Sequence, residues 1–274
     1  MYVHKMSYAG SFYPADRETL KNDIESFISA VPESIRHKQD EIIAVMVPHA
    51  GYIYSGPVAA YSYAAVAGNK YDTVIVLAPS HRARFNGCSI PLKGMYETPF
   101  GSVPIDEKIS SAISAYPFAS FIREIDAQEH SLEVQLPFLQ YAIGEFSLVP
   151  IVVGTTDPVI CEEMAKGISE SLKNESRKIL VVISTDLSHY YDYRTAVRID
   201  TVFLESLSSF DKDKVRHSLD NESEACGEGP VVTGMILSEI LGAHKVEILK
   251  YANSGDTAGD KQRVVGYASA AFVR

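Results

Sequence analysis

The run Ile42-Ile43-Ala44-Val45-Met46-Val47-Pro48-His49 holds six apolar residues without a polar interruption and then passes directly into a proline and a histidine. Strict alternation would mark a strand with one wet face. An unbroken apolar run of this length instead marks a strand buried on both faces. The same grammar returns in Thr73-Val74-Ile75-Val76-Leu77, followed by Ala78-Pro79-Ser80-His81, and in Ile179-Leu180-Val181-Val182-Ile183, followed by Ser184-Thr185-Asp186-Leu187-Ser188-His189. A further apolar run covers residues 148–153. Doubly buried strands separated by helical patterns predict an α/β fold, with a mainly buried mixed sheet flanked by helices.

Outward from those strands, Asp16 reads as the N-cap of a helix whose apolar face is Leu20, Ile24, Phe27 and Ile28 and which stops near Pro32. A polar stretch follows over 33–41. Helical patterns occupy 57–67, 106–115, 129–143, 158–172, 195–208 and 230–241, and two further strands are expected over 246–252 and 264–273. Between Cys88 and Val103, glycines, prolines and short alternations predict a hairpin or meander over the main sheet. No repeat or linker divides the chain, so residues 1–274 are expected to form one domain.

Composition narrows the functional classes. With 25 basic and 35 acidic residues the net charge is -10, which repels a polyphosphate and excludes nucleic acid as an expected partner. No segment approaches the roughly 20 apolar residues that span a bilayer. The first residues lack the pattern of a secretory leader, so a cytoplasmic location is expected. Three cysteines, Cys88, Cys161 and Cys226, form no CxxC pair and suit neither a disulfide framework nor a zinc knuckle.

Three buried strands thus deliver His49, His81 and His189 at their carboxyl ends, where open α/β sheets bind ligands. If the strands are neighbours, the histidines converge; otherwise each merely caps a strand or bonds a turn carbonyl. The block Glu129-His130-Ser131-Leu132-Glu133 reads as a helix start in which His130 and Glu133 share a face. They could orient a ligand histidine, or His130 could donate a proton, or the pair could simply suit a solvated helix start. Cys226 precedes the helix pattern at 230–241, a position that favours a thiolate, reactive or ligating. Cys88 and Cys161 read as small apolar residues.

Several blocks, in order, resemble the signature of the Memo family: Tyr8-Ala9-Gly10-Ser11-Phe12-Tyr13-Pro14, Val47-Pro48-His49-Ala50-Gly51-Tyr52, Ala78-Pro79-Ser80-His81, Glu129-His130-Ser131, Ser184-Thr185-Asp186-Leu187-Ser188-His189, Ala225-Cys226-Gly227 and Tyr251-Ala252-Asn253-Ser254-Gly255-Asp256. The resemblance implies a fold similar to class III extradiol dioxygenases, non-haem iron enzymes with a two-histidine, one-carboxylate site. It implies metal ligation by His49, His81 and Cys226, with Cys226 standing where the dioxygenases have a glutamate. His189 then matches their general base, and Asp186 and His130 line the same pocket.

A thiolate in place of a carboxylate softens the site: iron is the first expectation, with copper or zinc also suited, and the sulfur is itself open to oxidation. Glu224, two residues away, could supply an oxygen donor instead. The resemblance supports two readings. One is a metal-dependent oxidoreductase acting on a small aromatic substrate, with Tyr52, Tyr54, Tyr190 and Tyr191 at the pocket mouth or in ordinary packing. The other is a non-catalytic module that recognises a peptide or protein partner through a vestigial pocket.

Overall fold

The computed structural model describes residues 2–36 and 41–274. Four strands, Ile42–Val47, Ile179–Ser184, Thr73–Pro79 and Ser147–Val153, lie side by side in that order, all parallel. Successive side chains point to opposite faces of a strand, and here both faces are covered. Val45 and Val47, Val74 and Val76, and Leu180 and Val182 join one apolar layer, while Ala44 and Met46, Ile75 and Leu77, and Val181 and Ile183 join the other. That is the physical reason the runs show no alternation.

Helices Arg17–Ser29, Tyr52–Val66 and Gln135–Ile143 pack on the first face. Helices Glu107–Ser114, Pro158–Ser171, Tyr193–Ser208, Lys212–Asn221 and Glu228–Ile240 pack on the second. The sheet is mixed because its flanks are antiparallel. Val264–Val273 runs against Ile42–Val47 and carries Lys245–Asn253, and Cys88–Ser89 runs against Ser147–Val153. No helix among the described residues is long and apolar enough to cross a membrane.

Several expected boundaries move, each for a local reason. The helix expected from Pro57 begins at Tyr52, with Pro57 inside it. The carbonyl that Pro57 cannot satisfy belongs to Ile53, whose side chain is exposed in the first turn, so water can serve it. The pattern over 129–143 is two helices, His130–Glu133 and Gln135–Ile143, meeting at Val134. The region from Cys88 to Val103 divides: Cys88–Ser89 extends the main sheet, while Gly94–Thr98 and Gly101–Pro104 form a hairpin that pairs with Tyr2–His4 in a separate small sheet. The helix Lys212–Asn221 was not expected, since only Val215 and Ser218 of its polar sequence are buried. Within the polar stretch at 33–41 the structure has the short helix Glu33–Arg36, and residues 37–40 lie outside the described residues.

Candidate metal centre

The strands ending near His49, Ser184 and His81 are adjacent in the sheet, so their carboxyl ends open onto one place. There a ligand atom from each of His49, His81 and Cys226 lies within 4.8 Å of the others, and His81, Glu129 and His130 form a second such group. The rings of His49 and His81 are 5.1 Å apart between centroids. The ring of His130 is 5.4 Å from the first and 4.6 Å from the second.

Hydrogen bonding fixes which nitrogen of His49 is free. Gln135 Nε2 must face the carbonyl of Pro48, which can only accept, and from there it also donates to Ser184 Oγ at 2.8 Å. Ser184 has a single hydroxyl hydrogen, and it goes to the carbonyl of Ser131 at 2.7 Å. The remaining neighbour of Ser184 Oγ, His49 Nδ1 at 2.8 Å, is therefore a donor. Its proton sits on Nδ1, and Nε2 presents a lone pair to the pocket. Burial, followed by the nearby His81, holds the His49 imidazole well below its usual pKa, so the ring is neutral at physiological pH. The main-chain N–H of His49 donates to Asp186 Oδ1 at 2.7 Å, and Asp186 Oδ2 is 4.0 Å from His49 Nε2. Burial raises the Asp186 carboxyl despite that N–H.

His81 is set the same way by a different partner. Its backbone N–H and its Nδ1 reach the two oxygens of Glu129 at 2.7 and 2.8 Å, so Nε2 is again left with its lone pair when the ring is neutral. A carboxylate behind a histidine is the usual outer partner of a metal ligand, fixing tautomer and ring orientation. Glu129 is buried, which is the largest single effect and works against its charge, but the ring and backbone hydrogen bonds from His81 together with the charges of His81 and His130 outweigh it and bring its pKa down to about 2. The same side chain caps the helix His130–Glu133 by accepting from Ser131 N at 3.1 Å. His130 Nδ1 is 3.3 Å from Glu129, and burial with the neighbouring His49 lowers its pKa to about 4.

Cys226 meets His49 directly, with Sγ 3.1 Å from the free Nε2, and Sγ accepts from Asp186 N at 3.2 Å. Proximity to the helix Glu228–Ile240 does not make it a thiolate, contrary to expectation. Burial and then the Asp186 charge push the thiol far above its usual pKa, and the Asp186 backbone N–H and the Thr185 hydroxyl, 4.0 Å from the sulfur, do not offset them. The thiol proton thus lies on the line to His49 Nε2.

The other candidates are placed elsewhere. His189 is half-buried on the short strand His189–Tyr191, with its ring against Tyr190; it is felt electrostatically by His49 and Asp186 but lies outside the three-residue group. Glu133 does not face the pocket with His130 but turns to the amino-terminal segment. Glu224 is taken by the hydroxyl of Tyr191, so it is no substitute for Cys226. Tyr52 is not at a mouth: it is 4% exposed, packed against Tyr13 and Phe138, with its hydroxyl on the carbonyl of Val134. Tyr54 and Tyr190 are exposed. Cys88 and Cys161 are buried among apolar residues as expected. The residues that hold the ligands, Glu129, Ser184 and Gln135, had no role in the sequence reading. An acid immediately before His130, in helix-capping position, was the one available signal.

Cys226 opens into a cleft of about 540 Å³ beyond the carboxyl end of Ser147–Val153, walled by Ser80, Arg84, Phe85, Thr155 and Pro230. A larger cavity of about 830 Å³, between Arg17, Phe100 and Tyr141, has none of these ligands on its walls.

Comparison with known proteins adds kinship to this geometry. A model of the Memo-like protein family matches residues 4–271. The chain is 40% identical to a MEMO1 family protein of Ignicoccus hospitalis, with 99% of each chain covered. It is 37% identical to one of Methanobrevibacter smithii (98% of this chain and 99% of that one) and 38% identical to one of Sulfolobus acidocaldarius (96% and 97%). Among solved structures, an uncharacterized protein of Escherichia coli K12 superposes with a TM-score of 0.57 at 12% identity, over 85% of this chain and 100% of that one, a likeness of fold alone.

Proposed function

The chain belongs to the Memo-like family, and on that premise we propose that it binds one transition-metal ion through His49, His81 and Cys226 and applies it to a small molecule admitted by the adjoining cleft. One observation carries the reading: two imidazoles have their Nδ1 atoms tied down and their Nε2 lone pairs free, beside a thiol whose proton an ion would replace. Two nitrogens and a sulfur suit iron, copper or zinc, and we place iron first from the family's likeness to non-haem iron enzymes. Such an ion, when bound, supplies Lewis acidity and, if it is iron or copper, one-electron chemistry.

The chain's own groups do the rest. Ser184 and Glu129 hold the two rings in their ligating tautomers. His130, neutral at physiological pH, offers a proton-transfer site 4.6 Å from the His81 ring between centroids. Asp186 holds the main chain at His49 and adds charge beside Nε2. We take the activity to be that of an oxidoreductase working on a compact, flat molecule.

Metal analysis of protein purified without chelators, repeated on His49→Ala and Cys226→Ala after anaerobic addition of iron(II), copper(I) or zinc(II), tests the reading. About one equivalent in the wild type and a marked loss in both variants is the expected result. A wild type that takes up none of the three ions removes its basis. A second reading is favoured by the direct thiol–His49 contact, which leaves the pocket satisfied without an ion: recognition of a peptide or protein partner. Uptake of an ion without turnover of catechols under air would favour it.

A further inference from the structure

We propose that residues 2–13 form a wall of the histidine pocket and that Glu133, which does not touch the pocket, is the positioning residue that holds this wall in place. The inference goes beyond metal binding and depends on that reading only for its effect on affinity.

The segment reaches all three histidine-bearing stretches. Phe12 and Tyr8 lay their rings on His130, with centroids 4.7 and 5.5 Å away, on the ring that faces His49 and His81. The carbonyl of Phe12 receives Tyr52 N at 2.8 Å, three residues past His49. The hydroxyl of Tyr8 receives Arg82 Nη2 at 2.9 Å, one residue past His81, and donates to the carbonyl of Gln128 at 2.7 Å. The turn that presents these two rings closes through Gly10 N on Tyr13 O and Phe12 N on Tyr8 O, with Gly10 at φ +84°.

What fixes the segment is a fully buried carboxylate. Glu133 Oε1 accepts from Tyr8 N at 2.9 Å and Tyr13 Oη at 2.7 Å. Its Oε2 accepts from Ser7 N at 3.0 Å and His4 Nε2 at 2.8 Å. All four partners are donors, so only a group with four acceptor positions satisfies them, and an amide would turn N–H groups toward N–H groups. The other ring nitrogen of His4 faces Asp126 at 3.6 Å, and Asp126 accepts from the hydroxyls of Tyr2 and Tyr96. His4, Asp126 and Glu133 are each at most 1% exposed, so loss of one partner is not made good by water. Glu133 and His130 are opposite ends of a single helical turn, so the carboxylate that holds the segment is continuous with the ring the segment covers.

The test uses the whole, metal-free protein and diethyl pyrocarbonate, with acylation of each histidine read by peptide mass spectrometry. Glu133→Gln is expected to speed acylation of His130 severalfold and to leave His217 and His244, which lie outside this region, unchanged. Phe12→Ala, which opens the wall without touching the buried charges, is expected to do the same, and Tyr13→Phe to give a smaller rise. Should Glu133→Gln not fold, Phe12→Ala and Tyr13→Phe decide. An unchanged His130 rate in the folded variants overturns the proposal, as does a rise shared equally by His217 and His244, which would mean general loosening. Zinc affinity, measured separately by chelator competition, is expected to fall severalfold in Phe12→Ala. A wild type that binds no metal would sink the metal reading, while the acylation pattern would still decide on the wall.

Discussion

Glu129 accepts from His81 twice, once from its main-chain N–H at 2.7 Å and once from its ring at 2.8 Å. The carboxylate therefore locks both the exit of the strand Thr73–Pro79 and the tautomer of the imidazole that follows it. Every nearby group that reaches Glu129 is a donor, Ser131 N included, so Gln at 129 would turn an N–H against one of them. Glu129→Gln is expected to weaken metal binding by roughly 10–100-fold, the cost of losing such an outer partner. Its stability is expected to fall by about 1–3 kcal/mol, the cost of leaving a buried donor opposed. Chelator competition and thermal unfolding read the two effects, and an affinity within twofold of wild type would show that Glu129 does not set the ligand.

Metal affinity should depend on pH through Cys226 more than through His49. For free imidazole ligands, affinity would fall once the rings protonate, near a pKa of about 6.5. The structure shifts the weight: burial keeps His49 neutral below that value, and burial with Asp186 keeps the Cys226 thiol protonated well above neutrality. An ion must displace that thiol proton, so affinity should rise by about tenfold per pH unit between roughly pH 6.5 and 8, with about one proton released per ion. Calorimetry in buffers of different ionisation heat counts the proton. In Cys226→Ala the slope should flatten over the same window, and a slope unchanged by that substitution would take the thiol out of the site.

The parts of this pocket that could be read from sequence share one property: they are dictated by burial. A strand covered on both faces must be apolar throughout, and a histidine just past its end is conspicuous against that background, so Ile42–Val47 with His49 and Thr73–Pro79 with His81 stand out. That they flank one common strand is not written in either, because Ile179–Ser184 enters between them from a distant part of the chain. Glu129 escaped notice for the same reason, since its bond to His81 spans 48 positions. Tyr52 stays open in sequence between the mouth and ordinary packing, because a tyrosine carries no sign of which face its helix buries, and the structure puts it in the packing. The thiolate expected at Cys226 came from weighing a helix start without its burial, which has the larger effect.

Gly229 carries no side chain because the main chain of the neighbouring loop fills that space. A Cβ there would lie 2.1 Å from the carbonyl oxygen of Thr155, a backbone atom with no rotamer to yield, and 3.0 Å from Val153 Cγ1. Gly229→Ala should cost about 1–3 kcal/mol, as overpacking does, and push the start of Glu228–Ile240 away from the sheet, carrying Cys226 with it. Metal affinity should fall together with the thermal midpoint. Retention of both at wild-type levels would mean that the two loops are not in this contact.

The buried triad at the amino terminus predicts an alkaline loss of stability. Burial alone would lower the pKa of His4, but hydrogen bonds to Asp126 and Glu133, and their charges, more than reverse this and raise it to about 9. With the folded value above the unfolded 6.5, folding favours the protonated ring. The stabilisation is complete below about pH 6.5 and drains away as pH rises toward 9. At full strength the shift corresponds to about 3 kcal/mol, as an order of magnitude. Above pH 9 two buried carboxylates would face a neutral imidazole. Wild-type protein should therefore lose thermal stability between pH 6.5 and 9 more steeply than His4→Gln, which lacks the titrating group and should start from a lower midpoint. Parallel curves for the two proteins across that window would mean that His4 is not held charged between Asp126 and Glu133.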